Sequence, residues 1–587
     1  MIRPFNVEEY RDDLIAILRK VVTTPDLNPG RLDSILREHP RDGTGFFSRN
    51  ELIEGYRTYA DSNGLPPFDA AIIERLKRKP TRTISGVTPV TVLTKPYPCP
   101  GTCIFCPNDI RMPKSYLSDE PGAQRAEQNS FDPYLQTYSR LSSLDSIGHN
   151  TDKIEIIILG GTWTFYPEPY QIWFIKRVFD AMHDFGNGID HTAEVEAIYQ
   201  DTLLNPHKRV EGVIDGRSME RSYNQVINTI YAEEIARTRF DAATWEELEA
   251  VHRENENAQC RAVGLVIETR PDFLDEKEAL RLRRLGCTKI QIGVQSMNDD
   301  VLELNKRGHR VQRSRDALRA LRQAGFKIHA HWMPNLYGSN PAEDVRDFQR
   351  LFDDPSIKPD ELKVYPCSLI ESAELMQVYE KGLWMPYTED ELLYVLVEAF
   401  KLAPEYCRLT RVIRDIPSTD IVVGNKYTNF RQMVERELQS QGIRSSEIRS
   451  REIRSNKVSA ENLTLKELHY ETSTGEEIFM QYVTEQNEIA GFLRLSLPTE
   501  SAITPELENA AMIREVHVYG VAVGIGESKS GRAQHLGLGT QMLEQAVEIV
   551  SERGYEKLAV ISAVGTREYY RKRGFVDGEL YQHRMLK

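Results

Sequence analysis

The chain has 587 residues, of which 40% are apolar and 28% are charged, and its net charge is −14. This length predicts two or three domains with several buried cores, and this composition excludes a largely disordered chain. The negative charge excludes a surface that binds nucleic acid throughout, so any nucleic-acid site must be a local basic patch.

Neither a secretory signal nor a membrane span is predicted. No apolar run approaches the length of about eighteen residues that a span requires, and the first residues are charged where a signal peptide would be apolar. Seven cysteines are few for this length, and an odd count favours ligands, nucleophiles or buried thiols over a disulfide framework. We expect a cytoplasmic protein that contacts no membrane.

Residues 1–82 are predicted to form a helical N-terminal region, because apolar residues recur at helical spacing in 7–22 and 68–79. The second helix ends in a basic run, which consists of Lys77, Arg78, Lys79 and Arg82. Two interpretations of this run are open. It is either a solvated helix end that the helix dipole favours, or a contact for phosphate groups.

Residues 83–370 alternate short β-branched runs with amphipathic segments, which is typical of parallel βα units in a full or partial barrel. A polar, acidic segment at about 185–258 interrupts this rhythm and is interpreted as a mostly helical insertion. Strands are predicted at 90–94, 153–161, 262–269, 289–296, 327–334 and 361–366.

The last two segments differ from this pattern. Residues 371–458 are predicted to be a helical, basic linker, with seven Arg and Lys against four Asp and Glu in 431–458. Residues 459–587 alternate like antiparallel strands joined by turns, followed by a helix within 537–554 and further strands. The whole chain is therefore predicted to be a multidomain α/β protein that ends in an α+β domain.

Cys99, Cys103 and Cys106 place three thiols close together in a Pro- and Gly-rich loop after a predicted strand. Thiolates hold iron–sulfur clusters, and three of them on a four-iron cluster leave one iron open. A zinc site with a remote fourth ligand and unliganded thiols are the alternatives. With Phe105 before the last cysteine, the motif resembles that of radical S-adenosylmethionine (SAM) enzymes. This resemblance implies a [4Fe–4S] cluster that binds SAM and generates a 5′-deoxyadenosyl radical.

Polar or glycine residues close three later strands of the same region. Since ligands in α/β proteins gather at the carboxyl ends of strands, we expect these residues to converge and to bind the cofactor. Each group alone would indicate little more than a turn. The residues are Gly160, Gly161, Thr162, Glu268, Arg270 and Gln295.

A second cofactor motif lies at residues 534–539, before the helix that starts near Thr540. Gln534, Gly537 and Gly539 match the Q-x-x-G-x-G loop of GNAT acetyltransferases, in which amides at a helix N-terminus hold the pyrophosphate of acetyl-CoA. Alone it would be a common glycine-rich turn. Tyr569 and Tyr570 follow at the position of the tyrosine that faces the thiolate in that family, which implies a catalytic role.

A radical SAM core followed by a GNAT domain resembles the Elongator catalytic-subunit family in its single-protein archaeal and bacterial form. The motifs at 95–107, 152–162, 267–272, 293–296 and 561–575 follow in family order. The resemblance implies a tRNA wobble-uridine carboxymethyltransferase that uses acetyl-CoA and the adenosyl radical to give 5-carboxymethyluridine. A protein lysine acetyltransferase with a structural iron–sulfur cluster is the alternative.

The same resemblance implies further residues and partners. Lys153 would be catalytic and contact acetyl-CoA from the radical domain. tRNA would bind the basic helix end and 431–457, and an unidentified electron donor and a homodimer are further candidate partners. The implied acetyl-CoA contacts on the GNAT side are Glu515, Val516, His517, Val518, Leu538, Gly539, Thr540 and Tyr570.

The linker departs from the family pattern, because many relatives carry zinc-binding cysteines where this chain has Ser445 to Ile453. We predict no zinc there, and Arg–Glu pairs that hold the linker instead. The remaining cysteines are scattered and are predicted to be small buried residues: Cys260, Cys287, Cys367 and Cys407.

Overall fold

A computed structural model of the protein describes residues 5–77, 86–201, 213–214, 217–218, 223–228, 242–414, 416–427, 429–453, 460–519 and 537–586. The chain begins with helices α1 (Arg11–Thr23), α2 (Pro29–Glu38), α3 (Arg49–Tyr59) and α4 (Ala70–Leu76). Their apolar faces form a core of their own that includes Leu18, Ile53 and Tyr56. A salt bridge of 2.8 Å between Arg57 and Asp145 connects α3 to the following domain.

A seven-stranded parallel sheet forms a half-barrel in the second domain. Its strands lie side by side in chain order, which confirms the six predicted strands and adds a seventh, β7, in the segment interpreted as a linker. They are β1 (Thr88–Leu93), β2 (Lys153–Leu159), β3 (Arg261–Thr269), β4 (Lys289–Gln295), β5 (Lys327–Trp332), β6 (Glu361–Val364) and β7 (Arg408–Arg411).

Helices connect these strands and bury apolar faces in the core they share with the sheet. The insertion is described only in part, as two helices at its start and end, a two-stranded pair at 213–214 and 217–218, and residues 223–228. The helices of this domain are α5 (Pro121–Gln128), α6 (Pro133–Ser146), α7 (Glu168–Asn187), α8 (Thr192–Asp201), α9 (Trp245–Asn255), α10 (Glu276–Arg284), α11 (Asp299–Leu304), α12 (Val311–Gln323), α13 (Pro341–Asp353), α14 (Leu375–Glu380) and α15 (Glu389–Leu402).

Buried Arg–Glu contacts hold the segment after β7, as predicted. Helices α16 (Phe430–Ser440) and α17 (Ile448–Arg451) flank Glu447, whose fully buried carboxylate accepts hydrogen bonds from the Leu409 amide at 3.0 Å and from Arg431 at 2.6 Å. Arg451 is also buried and donates to the carbonyl of Glu405 at 2.8 Å.

These contacts turn part of the predicted tRNA-binding stretch 431–457 inward, whereas Arg436 and Arg444 are exposed, and Arg454 and Lys457 lie outside the described residues. Arg431 and Arg451 are used inside the protein, and Arg449 donates to the Thr410 carbonyl. Lys77, at the end of α4, is likewise buried and pairs with Glu74. The rest of that basic run, Arg78, Lys79 and Arg82, lies outside the described residues.

The C-terminal domain is a seven-stranded mixed sheet with the predicted antiparallel start. Strands β8 (Thr464–Thr472), β9 (Gly475–Val483), β10 (Ile489–Pro498) and β11 (Ala510–Val518) pair in succession. β11 then pairs in parallel with the whole of β12 (Lys557–Val560) from Ala510 to Ile513, and β11 continues beyond this pairing to Val518. The domain is completed by α18 (Leu538–Glu552), α19 (Arg567–Arg571), β13 (Val576–Asp577) and β14 (Gln582–Met585).

The two sheets meet at the amino-terminal ends of the barrel strands. Pairing between β10 and β11 shifts register so that Arg514 is an extra residue, and such a bulge redirects a side chain. The Arg514 guanidinium reaches the carbonyl of Phe326 at 2.7 Å and the carboxylate of Asp360 at 2.6 Å. Phe326 and Asp360 immediately precede β5 and β6, so the acetyltransferase-like domain covers the floor of the half-barrel.

Within the described residues, every helix is too short or too polar to cross a membrane.

Candidate active site

The loop after β1 brings the three cysteines over the carboxyl ends of the barrel strands. A cavity of about 60 Å³ lies there. It brings together the whole set of residues predicted for the cluster and its cofactor, which line its wall: Cys99, Cys103, Cys106, Gly160, Gly161, Thr162, Glu268, Arg270 and Gln295.

Two guanidinium groups face the central cysteine. Arg270 and Arg307 each place a nitrogen 3.5 Å from Cys103 Sγ. A hydrogen bond with Cys106 lowers the pKa of the Cys103 thiol well below its ordinary value despite burial, and the two arginine charges add to this effect. Arg270 is itself oriented by Asp272, with which it forms a salt bridge of 2.8 Å. The site therefore favours an anionic sulfur.

The other two thiols contact hydroxyl groups. Cys99 Sγ lies 3.7 Å from Thr162 Oγ1, and Cys106 Sγ lies 3.6 Å from Ser115 Oγ. In the part of the chain that the structure describes, no three His, Cys, Asp or Glu side chains are grouped as ligands of a single metal ion. A four-iron cluster binds each thiolate to a separate iron, and three thiols around one cavity fit that arrangement.

The cavity wall also contains polar groups that suit a polar cofactor. Gln295 has a positive φ of 69°, and its Oε1 is buried without a hydrogen-bond partner in the described structure. Gly160 has φ 149°, and a Cβ there would lie 1.8 Å from Thr94 Oγ1, so only glycine permits this close turn. Strained backbone and an unpartnered amide in one cavity are features of ligand sites.

The remaining cysteines lie elsewhere, as predicted, in buried positions without disulfide partners: Cys260, Cys287, Cys367 and Cys407.

A larger cavity of about 620 Å³ adjoins the first and shares Cys106, Glu268 and Gln295 with it. Tyr116 donates a hydrogen bond of 2.9 Å to Glu268 in the wall between them. Among the charged residues of the larger cavity, basic side chains outnumber acidic ones: Arg125, Arg140, Arg307, Lys363, Arg411, Arg414 and Lys426 stand against Glu120 and Glu268.

The predicted acetyl-CoA residues lie on the other side of the barrel floor. Glu515, Val516, His517 and Val518 form the end of β11, beyond the part of that strand that pairs with β12. Helix α18 starts at Leu538, and Gly537 before it has a positive φ of 69°. Gln534 lies outside the described residues.

The two tyrosines take different places in this domain. Tyr569 packs its hydroxyl against the start of α18, where a Cβ on Gly539 would lie 2.8 Å from it. Arg573 lies over the Tyr569 ring, with its guanidinium carbon 3.6 Å from the centroid, and donates to Thr540 at 3.0 Å. Tyr570 is buried in the domain core, and burial raises its pKa.

Lys153 begins β2, whereas Gly160 follows the end of that strand. Six residue steps in a strand span about 20 Å, so the structure separates Lys153 from the cysteine cavity. It pairs with Arg261 of β3, against which the turn at Val564–Thr566 packs. Lys153 therefore lies at the edge of the barrel that faces the C-terminal domain.

Comparison with known proteins matches three families in order along the chain. The matches are the Radical SAM superfamily at residues 231–351, the Radical SAM C-terminal domain at 359–440 and the acetyltransferase (GNAT) family at 446–575. The chain is 35% identical to the tRNA uridine(34) acetyltransferase of Methanocaldococcus jannaschii, over 94% of this chain and 92% of that protein. It is 31% identical to Elongator complex protein 3 of Homo sapiens, over 89% and 88%.

The chain belongs to the tRNA uridine(34) acetyltransferase and Elongator complex protein 3 family. The structure of archaeal Methanocaldococcus infernus Elp3 with an N-terminal deletion (1–46) superposes with a TM-score of 0.65 at 32% identity, and covers 86% of this chain and 100% of that one. The resemblance predicted from the sequence, and the order of radical SAM and GNAT domains, are confirmed.

Within this family fold, the barrel lumen carries polar residues that sequence reasoning missed. Lys289, Lys327 and Glu361 form an ionic cluster at its floor, with Lys327 2.8 Å from Glu361 and Lys289 3.4 Å from it. Lys363 and His331 lie further up the same strands. β5 and β6 have a polar residue at every second position, and alternate residues of a strand share one face. This alternation could have predicted the polar lumen.

Glu515 joins this cluster from the acetyltransferase domain. Its carboxylate lies 2.5 Å from Lys327 and 2.9 Å from Arg494. Glu515, which is predicted to contact acetyl-CoA, therefore also contacts the floor of the barrel.

Proposed function

We propose that this protein modifies the wobble uridine of tRNA and builds 5-carboxymethyluridine from the acetyl group of acetyl-CoA. Two of its relatives, from Methanocaldococcus jannaschii and Dehalococcoides mccartyi, are named tRNA uridine(34) acetyltransferases, which makes uridine 34 of tRNA their substrate. The [4Fe–4S] cluster, SAM and acetyl-CoA are the cofactors and co-substrate that the residues of the two sites support.

The observation that carries the proposal is one strand of the acetyltransferase domain that also contacts the floor of the barrel. β11 carries Glu515 to Val518, which are predicted to contact acetyl-CoA, and the same strand supplies Arg514 and Glu515 to the barrel floor. The charges of Arg514 and Glu515 are buried and paired, so they fix the position of the two domains relative to each other. A reaction that uses both cofactors needs such a relationship, since reacting groups must be positioned against each other.

The chemistry explains why a radical site and an acetyl-CoA site belong in one protein. Uridine C5 is a poor nucleophile and an acetyl methyl group is a poor acid, so polar reactions do not join them readily. When bound, the cluster and SAM supply a one-electron cleavage that gives a 5′-deoxyadenosyl radical able to remove a methyl hydrogen. Addition of the acetyl carbon to C5 and hydrolysis of the thioester then leave a carboxymethyl group.

The residues of the cysteine cavity bind and orient these groups. Cys99, Cys103 and Cys106 would hold the cluster, with Arg270 and Arg307 favouring the anionic thiolates. The open backbone from Gly160 to Thr162 and the unpartnered amide oxygen of Gln295 would hold the polar end of SAM. An external one-electron donor is required in addition.

On the acetyl-CoA side, the amides at the start of α18 and the end of β11 would bind the cofactor, with Tyr570 and Lys153 beside the thioester. The alternative of lysine acetylation needs a base beside the amine. Glu515, a carboxylate near the end of β11, is held by the two cations Lys327 and Arg494 and is therefore not available as a base.

The large cavity supports tRNA as the substrate because its lining is rich in Arg and Lys and opens beside the cysteine cavity. An enzyme that acts on a base must take the nucleotide out of its stack. A volume of about 620 Å³ falls within the range of small-molecule sites.

Anaerobic reconstitution with iron, sulfide and a reductant, followed by mass spectrometry of tRNA nucleosides, tests the proposal. We expect 5-carboxymethyluridine at position 34 only when SAM, acetyl-CoA and tRNA are all present. Absence of any modified uridine with an intact cluster would contradict it, and acetyl-lysine formed without tRNA would favour the alternative.

A further inference from the structure

His331 lies where the two cavities meet. It is the next-to-last residue of β5, 5% exposed, and it lines the large cavity beside Glu268, Lys363 and Tyr365. The His331 and Tyr365 rings are 5.9 Å apart between centroids. A histidine at this position faces whatever the large cavity binds.

The two nitrogens of the imidazole have different surroundings. Nδ1 lies 3.8 Å from Glu268 Oε1, which favours the tautomer with its proton on Nδ1. Nε2 is buried and has no hydrogen-bond partner among the described residues. Burial lowers the pKa of His331 well below its ordinary value, and the charge of Lys363 adds to this, so the ring is neutral. Its Nε2 lone pair is therefore available.

We propose that His331 is the base that removes the C5 proton of the target uridine, a role that rests on the proposed function. The sequence reasoning gave this residue no part, and the cluster and SAM do not supply a base. A neutral imidazole with a free nitrogen in a nucleotide-sized cavity matches the requirement that a general base lie within reach of the proton it takes.

The acetyl-derived carbon radical first adds to C5 of the uridine, which forms a carbon–carbon bond. The unpaired electron then lies on C6, and C5 still carries its hydrogen. Nε2 takes that hydrogen as a proton, and the C5–H bonding pair restores the double bond between C5 and C6. The one surplus electron passes to a one-electron acceptor of the oxidised iron–sulfur class. The imidazolium then releases its proton to water.

A His331→Gln variant tests this role. We expect hydrogen transfer from acetyl-CoA to 5′-deoxyadenosine to continue, and the amount of modified uridine per 5′-deoxyadenosine to fall by about 100-fold. A ratio equal to that of the unaltered enzyme would overturn the proposal. If the unaltered enzyme itself gives no modified uridine, it is the proposed function that fails.

His183 offers a matched control. It is also buried, its Nε2 likewise has no partner among the described residues, and its Nδ1 lies 3.5 Å from Glu254, but it lines neither cavity. We expect His183→Gln to leave the product ratio unchanged.

A photochemical cross-link gives a readout that does not depend on turnover. Reconstituted enzyme would be irradiated with tRNA that carries 5-iodouridine at position 34, and the attached peptide identified by mass spectrometry. We expect attachment at His331 or at the adjoining cavity residues Met333 and Tyr365. Attachment confined to the N-terminal helices or to the acetyltransferase domain would overturn the proposal even if His331→Gln failed to fold.

Discussion

Arg514 and Asp360 form a two-pronged salt bridge between the domains, with distances of 2.8 Å and 2.6 Å from the two terminal guanidinium nitrogens to the two carboxylate oxygens. Both side chains are fully buried. Burial alone would raise the pKa of Asp360, but the charges of Arg514 and Arg494 hold it below its usual range. A carboxylate oxygen of Glu477 lies 3.0 Å from a terminal nitrogen of the same guanidinium. The contact leaves the guanidinium fully paired.

Replacing Arg514 should destabilise the protein strongly. Arg514→Met leaves the carboxylates of Asp360 and Glu477 buried without their main partner, which costs about 3–5 kcal/mol. Chemical denaturation should show this loss. Arg553→Met is the control, because Arg553 pairs with Glu476 at the surface of the same domain and should contribute less than about 1 kcal/mol. Equal effects of the two substitutions would contradict the assigned role of the buried contact.

The cysteine cavity predicts which thiols hold iron. Cys103→Ala should abolish the cluster, since Cys103 is the thiol that faces both Arg270 and Arg307. Cys287→Ala, which changes a fully buried thiol outside the cavity, should keep it. Iron and sulfide content and the visible absorption of the reconstituted proteins measure the difference. Full iron content in Cys103→Ala would argue against this ligand set.

The start of α18 predicts a steric effect on acetyl-CoA binding. A Cβ in Gly539→Ala would lie 2.8 Å from the Tyr569 hydroxyl, a ring that Arg573 holds in place. The helix start must therefore shift, and we expect acetyl-CoA affinity to fall by roughly tenfold, about 1.4 kcal/mol. Adding Tyr569→Phe removes the clashing oxygen and should restore most of the loss in calorimetry. No recovery in the double variant would show that this contact is not the cause.

The large cavity predicts a salt-dependent contribution to tRNA affinity. Lys426 is an exposed lysine of its lining. Lys426→Ala should weaken binding and reduce the slope of log affinity against log salt by about one. Lys466→Ala changes an exposed lysine on β8, away from the cavity, and serves as the control. Equal salt slopes for Lys426→Ala and the unaltered protein would exclude a phosphate contact at Lys426.

The strands of the barrel were predictable where their sequence is apolar. Six strands have β-branched runs, and all six were found, but β7 reads Arg-Leu-Thr-Arg and has too few apolar residues to signal a strand. β7 forms because its backbone pairs with that of Glu361 and Leu362 in β6. Tertiary pairing of this kind leaves no periodic pattern in the sequence.

The residues of the site could be predicted from the sequence where a motif specifies them. They could not be predicted where charged side chains from distant segments pair with one another. The cysteines and strand-end residues converge because parallel strands share one carboxyl edge. The arginines of 431–457 suggested a surface for tRNA, but Arg431 and Arg451 turn inward to Glu447 and to backbone carbonyls. A count of charges cannot show which of them have partners. His331 was missed because its role depends on a cavity formed by distant segments.

The most direct test of the account uses acetyl-CoA with a fully deuterated methyl group. If the two sites act on one acetyl group, 5′-deoxyadenosine should carry deuterium, and the carboxymethyl group on the tRNA uridine should keep the two remaining deuterons. Formation of modified uridine together with 5′-deoxyadenosine that carries no deuterium would contradict the central claim.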